Sequence, residues 1–534
     1  MLWNRRLMVS FCLVSVLTGC TQIQLYKDES DVANTLQQAM NYYQQGHYRS
    51  AISLAKRALA IQEKNLGKEH PKVAATLNNL ALFYDSAGDY ARAESLYKRV
   101  LEIDKITVGE EHQDFATSLN NLGGLYRQMG EYARAETLLK RALDILKNTL
   151  GEEDTYFALV LNNLAELYVS MGEPARAEPL LKRALDIWKN TVGEEHPYFA
   201  MSLSNMAMLY HQRGEYLRAE QLYQRALDIQ KKTLGNNHPS ITLGLNNLAT
   251  LYGQMGEYTW AVKHLQQVLD IQKKTIGEKH PNFALTLNNL GMSYMQMGEY
   301  ARAEPLLKQA LDIQKEISGE EHPDVAISLN NMALLYVSKG EYASAESLYQ
   351  RALDIGKKTV GEKHPNVALS LNNLAELYRQ KGEYARAEPL HLRALEIRKT
   401  SLGEEHSVVA QSLNNLATLY MQMGKSARAE TLYQRALDIQ KKTLGEEHPE
   451  VALSLNNLAE LYKQMDQFAR AEPLLKRVLD IQKKLLGEEH LLVAASLNNL
   501  ATLYKQMGDS ARAEPLLKRA LEIKRNLSGD EEFP

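Results

Sequence analysis

Cysteine is nearly absent: 534 residues hold two, Cys12 and Cys20. Nothing beyond residue 20 can therefore form a disulfide framework or a cysteine-based zinc site. Neither sign of charge dominates, because 62 Lys and Arg stand against 65 Asp and Glu for a net charge of −3. No basic field favours nucleic acid, and the aromatics that stack RNA bases in its binding modules have no counterpart pattern here. The apolar run Leu7–Leu17 is too short for a stable membrane span. No strand pattern, phosphate-binding glycine loop, nucleophile elbow or zinc signature is found, so the common routes to catalysis are missing and no cofactor is implied.

What is present is repetition. LNNLALFY at Leu77–Tyr84 returns at Leu119, Leu161, Leu203, Leu245, Leu287, Leu329, Leu371, Leu413, Leu455 and Leu497, eleven copies spaced 42 residues apart without slip. A fixed period of this size marks a stacked-repeat protein, which grows by adding units rather than by enlarging one core.

The unit Pro71–Glu111 shows the local chemistry. Pro71 suits the first helical position, where a missing N–H costs nothing. A first helix, A, runs to about Ala87, and Gly88 supplies the left-handed residue that ends it. A second helix, B, starts near Asp89 and carries Tyr90, Ala93, Leu96, Tyr97, Val100, Leu101 and Ile103 at three-to-four spacing. The expected fold is all-α, a solenoid of helix-turn-helix units.

On a helical wheel, Leu77, Leu80, Ala81 and Tyr84 of helix A share the packing arc, and small Ala81, or Gly123 and Gly291 in its place, lets helices approach. The opposite arc, assigned to the inner surface, holds Ala75, Asn78, Asn79, Leu82, Asp85 and Ser86. The repeats align two amide rows there. The first is Asn78, Asn120, Asn162, Ser204, Asn246, Asn288, Asn330, Asn372, Asn414, Asn456 and Asn498; the second is Asn79, Asn121, Asn163, Asn205, Asn247, Asn289, Asn331, Asn373, Asn415, Asn457 and Asn499. The Leu82 and Asp85 places vary freely, giving Arg127, Glu166, Met208, His211, Glu376, Arg379, Glu460, Lys463 and Lys505 as candidate specificity residues. Amides both donate and accept, so uniform rows beside a variable stripe suit a groove for extended peptide. The alternative is that the amides bond between neighbouring A helices and only order the stack.

Other features weigh less. Ten histidines occupy the His70 place, mostly before Pro. Neighbouring helices lie about 8–10 Å apart, too far for these imidazoles to share a zinc ion, so they read as helix-start residues. Glu pairs such as Glu194-Glu195 sit beside positive helix starts rather than forming an acid–base pair. The Arg92, Arg134, Arg176, Arg218 row is placed on the solvated outer surface, and Trp188 and Trp260 are marked as exposed contact candidates.

The pattern L-[NS]-N-[LM]-[AG]-x-[LS]-Y, then G-[ED]-Y-x-x-A, R-A-L-[DE]-I and LGEEHP resembles the tetratricopeptide repeats of the kinesin light chain family over about Asp31–Leu527. The resemblance implies a right-handed α-solenoid of about twelve units whose A helices bind extended cargo peptides. By it, backbone-contacting Asn residues map onto the Asn79, Asn121 and Asn163 series, and less directly onto the Asn78 series. The family's coiled coil has no counterpart, so its motor role does not carry over. An acidic ligand, favoured in the family, is not assured, since Arg127, Arg379, Lys463 and Lys505 are offset by Glu166, Glu376 and Glu460.

At the start, Arg5 and Arg6, the apolar run and Thr18-Gly19-Cys20 read as a secretory signal. Leu17–Cys20 resembles the lipobox of bacterial lipoproteins, which implies cleavage after Gly19 and acylation of Cys20. The expected organisation is a signal peptide at 1–19, lipidated Cys20 and a tether to residue 30, and a degenerate capping unit at 31–67 with Leu36-Gln37 where Asn-Asn would stand. Eleven full units follow at 68–527, then a tail at 528–534. Helix B of the last unit keeps Leu516, Leu517 and Leu521, so that face is expected to be covered by a partner or a second copy. The function expected is a non-catalytic scaffold, lipid-anchored on the periplasmic side of a bacterial envelope membrane, the outer one favoured, that binds protein segments. The alternative is a dedicated assembly factor for a secretion, pilus or envelope-synthesis machine.

Overall fold

The computed structural model describes residues 27–238 and 240–529. The leader, Cys20 and the tether as far as residue 26 lie outside the described residues, as do 530–534. Among the described residues there are twenty-four helices in consecutive pairs and no strand. None of these helices is long and apolar enough to cross a membrane. Two boundaries differ from the sequence reading: the first helix already begins at Lys27, and the last runs to Gly529, into the stretch read as tail.

Each pair starts and stops by the same means. Helix A at Pro71–Ser86 is capped by His70, whose Nδ1 accepts from the Lys72 N–H. The imidazole thus does the work usually given to Ser or Asp, satisfying one of the unpaired donors of the first turn. The same cap recurs at His112, His196, His280, His322, His364, His406, His448 and His490, while Asp154 caps its own unit through a carboxylate. The A–B turn closes on a glycine in the left-handed region, such as Gly88 at φ +75°.

Packing follows the predicted arc: Leu77, Leu80, Ala81 and Tyr84 are all buried. A Cβ on Gly291 would stand 2.8 Å from Leu307 Cγ, so the close A–B approach there depends on glycine. The Arg row is exposed on the outer surface, where the sequence reading placed it, and several of its members also clamp successive B helices together. Tyr126 Oη donates to Glu94 of the preceding unit at 2.8 Å, and the Arg134 guanidinium lies 3.9 Å over the Tyr126 ring while pairing with the same Glu94. Arg176, Arg386 and Arg470 repeat the arrangement over Tyr168, Tyr378 and Tyr462. Trp188 is a correction to the sequence reading: it is buried and packs on Tyr198 at 4.9 Å, leaving Trp260 exposed.

Successive A helices touch one another whereas successive B helices are spread apart, which puts A on the inner wall of the coil and B on the outer. The coil returns onto itself. His280 Nε2 donates to the Gln44 carbonyl at 3.0 Å, His322 Nε2 to the Ser86 carbonyl at 3.4 Å and His448 Nε2 to the Gln212 carbonyl at 2.7 Å, each across 236 residues. Each contact joins the start of one helix A to the end of the helix A six units earlier, so about six units make one superhelical turn. The second turn therefore rests on the first. At Leu491–Gln506, where helix A of the last unit begins, His490 lies 3.5 Å from Glu257 of the turn below.

Burial pushes His280 down to about 4, against the Gln44 carbonyl that favours the charged form and with His47 disfavouring it. His448 and His490 are lowered for the same reason, burial outweighing the Gln212 carbonyl and, at His490, Glu257. These folded values lie below the ordinary 6.5, so the contribution is fully present above about pH 6.5 and is lost as pH falls toward 4, by about 3 kcal/mol at His280. Small-angle scattering should show the coil lengthening between pH 6.5 and 4.5, with helical content by circular dichroism retained; a particle of constant dimensions over that range would contradict the turn-to-turn contact.

Candidate functional site

The two turns bound a cavity of about 1850 Å³. The first turn contributes the C-terminal halves of its A helices: Asp85, Ser86, Arg127, Gln128, Glu166, Met208 and His211. The second turn faces them with the N-terminal halves of its own A helices, among them Asn282, Leu285, Ile327, Leu369, Gln411 and Leu453.

The amide rows divide by burial. In the first row Asn120, Asn162, Asn246, Asn288, Asn330, Asn372 and Asn414 are buried, and Ser204 with them; Asn78, Asn456 and Asn498 are half-buried. Their hydrogen bonds run between neighbouring A helices. Asn121 Nδ2 donates to Asn78 Oδ1 at 3.0 Å, Asn163 to Asn120 at 2.8 Å, Asn205 to Asn162 at 3.3 Å and Asn499 to Asn456 at 3.2 Å. Farther along, Asn288, Asn330 and Asn414 donate to Ser328, Ser370 and Ser454 of the following unit. Ser328 and Ser454 in turn donate to Gln314 and Gln440 of helix B. In the second row Asn79, Asn121, Asn163, Asn289, Asn331, Asn373 and Asn457 are half-buried, Asn205 and Asn247 buried, Asn415 and Asn499 exposed. Only Asn247 and Asn330 of the two rows lie on the cavity wall. These bonds tie neighbouring A helices in register, while Oδ1 of Asn205, Asn246, Asn288, Asn330 and Asn414 stays buried without a hydrogen bond.

The variable stripe also splits. Arg127, Glu166, Met208 and His211 line the cavity. Arg127 and Glu166 form a half-buried ion pair at 2.9 Å. His211 is buried, bonds Gln254 at 2.7 Å and is pushed down to about 4 by burial, so it is neutral at pH 7. Glu376, Arg379, Glu460, Lys463 and Lys505 lie off this wall, because no further turn is stacked on the part of the coil that carries them. Glu376 pairs with Arg379; burial would raise the carboxyl, but the Arg379 hydrogen bond and charge hold it below the usual range. Glu460 pairs with Lys463 at 2.7 Å, and Lys505 is exposed.

Two features of the wall escaped the sequence reading. One is an apolar row, Leu243, Leu285, Ile327, Leu369 and Leu453, at the place where the first unit has Ala75. Aligning that column alone would have shown it. The other is Glu450, whose carboxyl burial pushes up despite a hydrogen bond from Gln411. No residue separations in the sequence bring Glu450 near Tyr216, yet the two interact across the turns. Among the described residues no cluster of His, Cys, Asp or Glu could hold a metal ion.

The sequence model described as tetratricopeptide repeat matches residues 31–106, 114–190, 156–232, 198–274, 282–358, 331–400, 408–484 and 460–526. The chain belongs to the tetratricopeptide-repeat (TPR) family. Among solved structures it is similar to BtubC (BKLC) from P. vanneervenii, at 28% identity and a TM-score of 0.37 over 45% of this chain and 94% of that one. It is similar to the nearly identical TPR-like repeats of a Podosopora anserina protein described as a kinesin light chain, at 31% identity and a TM-score of 0.32 over 39% of this chain and 98% of that one. A Rap protein complexed with Competence and Sporulation Factor aligns over 78% of this TPR chain and 99% of its own, at 15% identity and a TM-score of 0.44. No curated protein matches.

The division of the amides has a measurable consequence for this TPR stack. Asn162 is buried, donates to the Ala158 carbonyl and accepts from Ser202 and Asn205. Asn162→Ala should cost about 1–3 kcal/mol of unfolding free energy, since it leaves buried polar partners unpaired. Exposed Asn415→Ala should cost under about 0.5 kcal/mol. Urea denaturation of both variants checks this, and equal losses would contradict the assignment.

Proposed function

We propose that this TPR protein is a non-catalytic docking scaffold that takes a polypeptide segment into the cavity between its turns. The observation that carries the reading is the composition of that wall. An apolar row (Leu243, Leu285, Ile327, Leu369) faces groups that can donate and accept, including Asn247, Asn330, Gln128 and Gln254. Apolar surface gives affinity in proportion to the area removed from water, and amides bond any peptide backbone. Arg127 and Glu166 satisfy each other, so they add shape and polarity without demanding a charged ligand.

A library of random linear peptides panned on the full-length protein supplies ligands for the test. Selected peptides should bind wild type and lose at least about tenfold in affinity, or about 1.4 kcal/mol, with Leu285→Glu, which puts a charge into the apolar row. Retained affinity in that variant would place binding elsewhere.

The leader suits a lipid anchor. Acylation of Cys20, with a tether ending at Lys27, would hold the coil close to a periplasmic membrane face. Metabolic labelling with palmitate should mark the wild-type chain and vanish with Cys20→Ser; label that persists in the variant would remove the anchor from the proposal.

A further inference from the structure

The seam between the turns is continuous. Six successive His loops of the second turn, at His280, His322, His364, His406, His448 and His490, sit against Gly46, Gly88, Gly130, Gly172, Gly214 and Gly256 of the first. A Cβ on Gly88 would stand 2.8 Å from Pro323 Cδ, and one on Gly172 would stand 2.9 Å from His406 Nε2. At about six units per turn, six contacts go all the way round.

Two departures in the repeats agree with this geometry. The glycines with no turn above them, Gly298, Gly340, Gly382, Gly424 and Gly508, have open space where a Cβ would stand. That same group of turns holds the one replacement of this glycine, Asp466, at φ +55°. At the His70 place the one residue that is not histidine, Asp154, belongs to the first turn, with no turn beneath it among the described residues. Histidine and glycine are thus kept wherever one turn meets another.

The bore follows from packing. Neighbouring helices about 8–10 Å apart, at about six per turn, put the A-helix axes roughly 8–10 Å from the coil axis. Subtracting a helix half-diameter of about 5–6 Å leaves a channel roughly 4–10 Å wide. A helix, about 10–12 Å across with its side chains, does not fit. A single strand does. The charges on the wall are Arg127, Lys279 and Arg398 against Asp85, Glu166, Glu278, Asp324 and Glu450, an excess of carboxylates. Such a wall repels an acidic ligand and tolerates a neutral or basic one.

We infer that the cavity is a laterally sealed tube, and that its ligand is one extended polypeptide strand of neutral to basic charge, with apolar side chains, that enters by a free end. The identity of the ligand class rests on the docking reading above; the closure of the tube does not, and the experiment separates them.

Closure is tested without any ligand. In full-length Leu285→Cys, N-ethylmaleimide should label Cys at position 285, located by mass spectrometry, while a maleimide carried on a small folded protein should react at least about a hundredfold more slowly. Adding His280→Ala, His322→Ala and His448→Ala, with circular dichroism confirming retained helix, should recover at least about tenfold of that rate. Equal labelling by both reagents in the unopened chain would overturn the seal.

The ligand class is tested with selected linear peptides of about twelve residues, some 40 Å when extended. They should carry zero or positive net charge and bind equally well when fused by one end to a folded carrier. Placed as a loop between two folded domains, they should lose at least about a hundredfold in affinity and regain at least tenfold in the triple histidine variant. Full affinity from the doubly blocked position, or enrichment of acidic peptides, would overturn this inference while leaving a docking function intact. A panning that yields no binder would overturn the docking reading and the ligand class with it, and leave only the closure to the labelling result.

Discussion

A histidine side chain shared between two jobs sets the shape of this protein. Its Nδ1 caps helix A, as at His280 and Asn282, and this leaves Nε2 carrying the proton and pointing outward from the helix start. At His280, His322 and His448 that N–H finds the carbonyl at the end of another A helix, as His448 finds Gln212. Helix starts are short of acceptors and helix ends short of donors, so one ring answers both deficits at once. The two bonds coexist only while the ring is neutral, because a protonated Nδ1 cannot accept the cap N–H, and burial favours the neutral form.

Everything else keeps the units in the register that allows this meeting. Between A helices the Asn–Asn and Asn–Ser bonds fix the step along the inner wall. Between B helices the Tyr–Glu–Arg clamps fix it along the outer wall. A solenoid has only nearest-neighbour interfaces, so a small rotation per unit, repeated, decides its curvature. Here the rotation closes the coil after about six units, and the wall that faces inward becomes a channel.

The repeats made much of this readable. The period gave the helix count, and the order of Pro, Gly and apolar residues placed each helix to within a few residues. Of the proposed site, Arg127, Glu166, Met208 and His211 do line the cavity. The first amide row, in contrast, went to the stack. A helical wheel gives the direction in which Asn162 points but not how near the next helix stands, and that nearness decides whether an amide meets solvent or another amide. The same limit hid Trp188, which the pattern marked as exposed and which packs on Tyr198 instead.

The sequence by itself determined the unit: its two helices, their caps, the buried face and the number of copies, because all of these follow from interactions within about forty residues. Only the tertiary structure decided that His280 meets Gln44 and that Glu376 and Lys505 lie off the wall while Leu285 lies on it. Those pairings join residues more than two hundred positions apart, and they arise from an angle between neighbours that no single repeat encodes in its pattern of residue types.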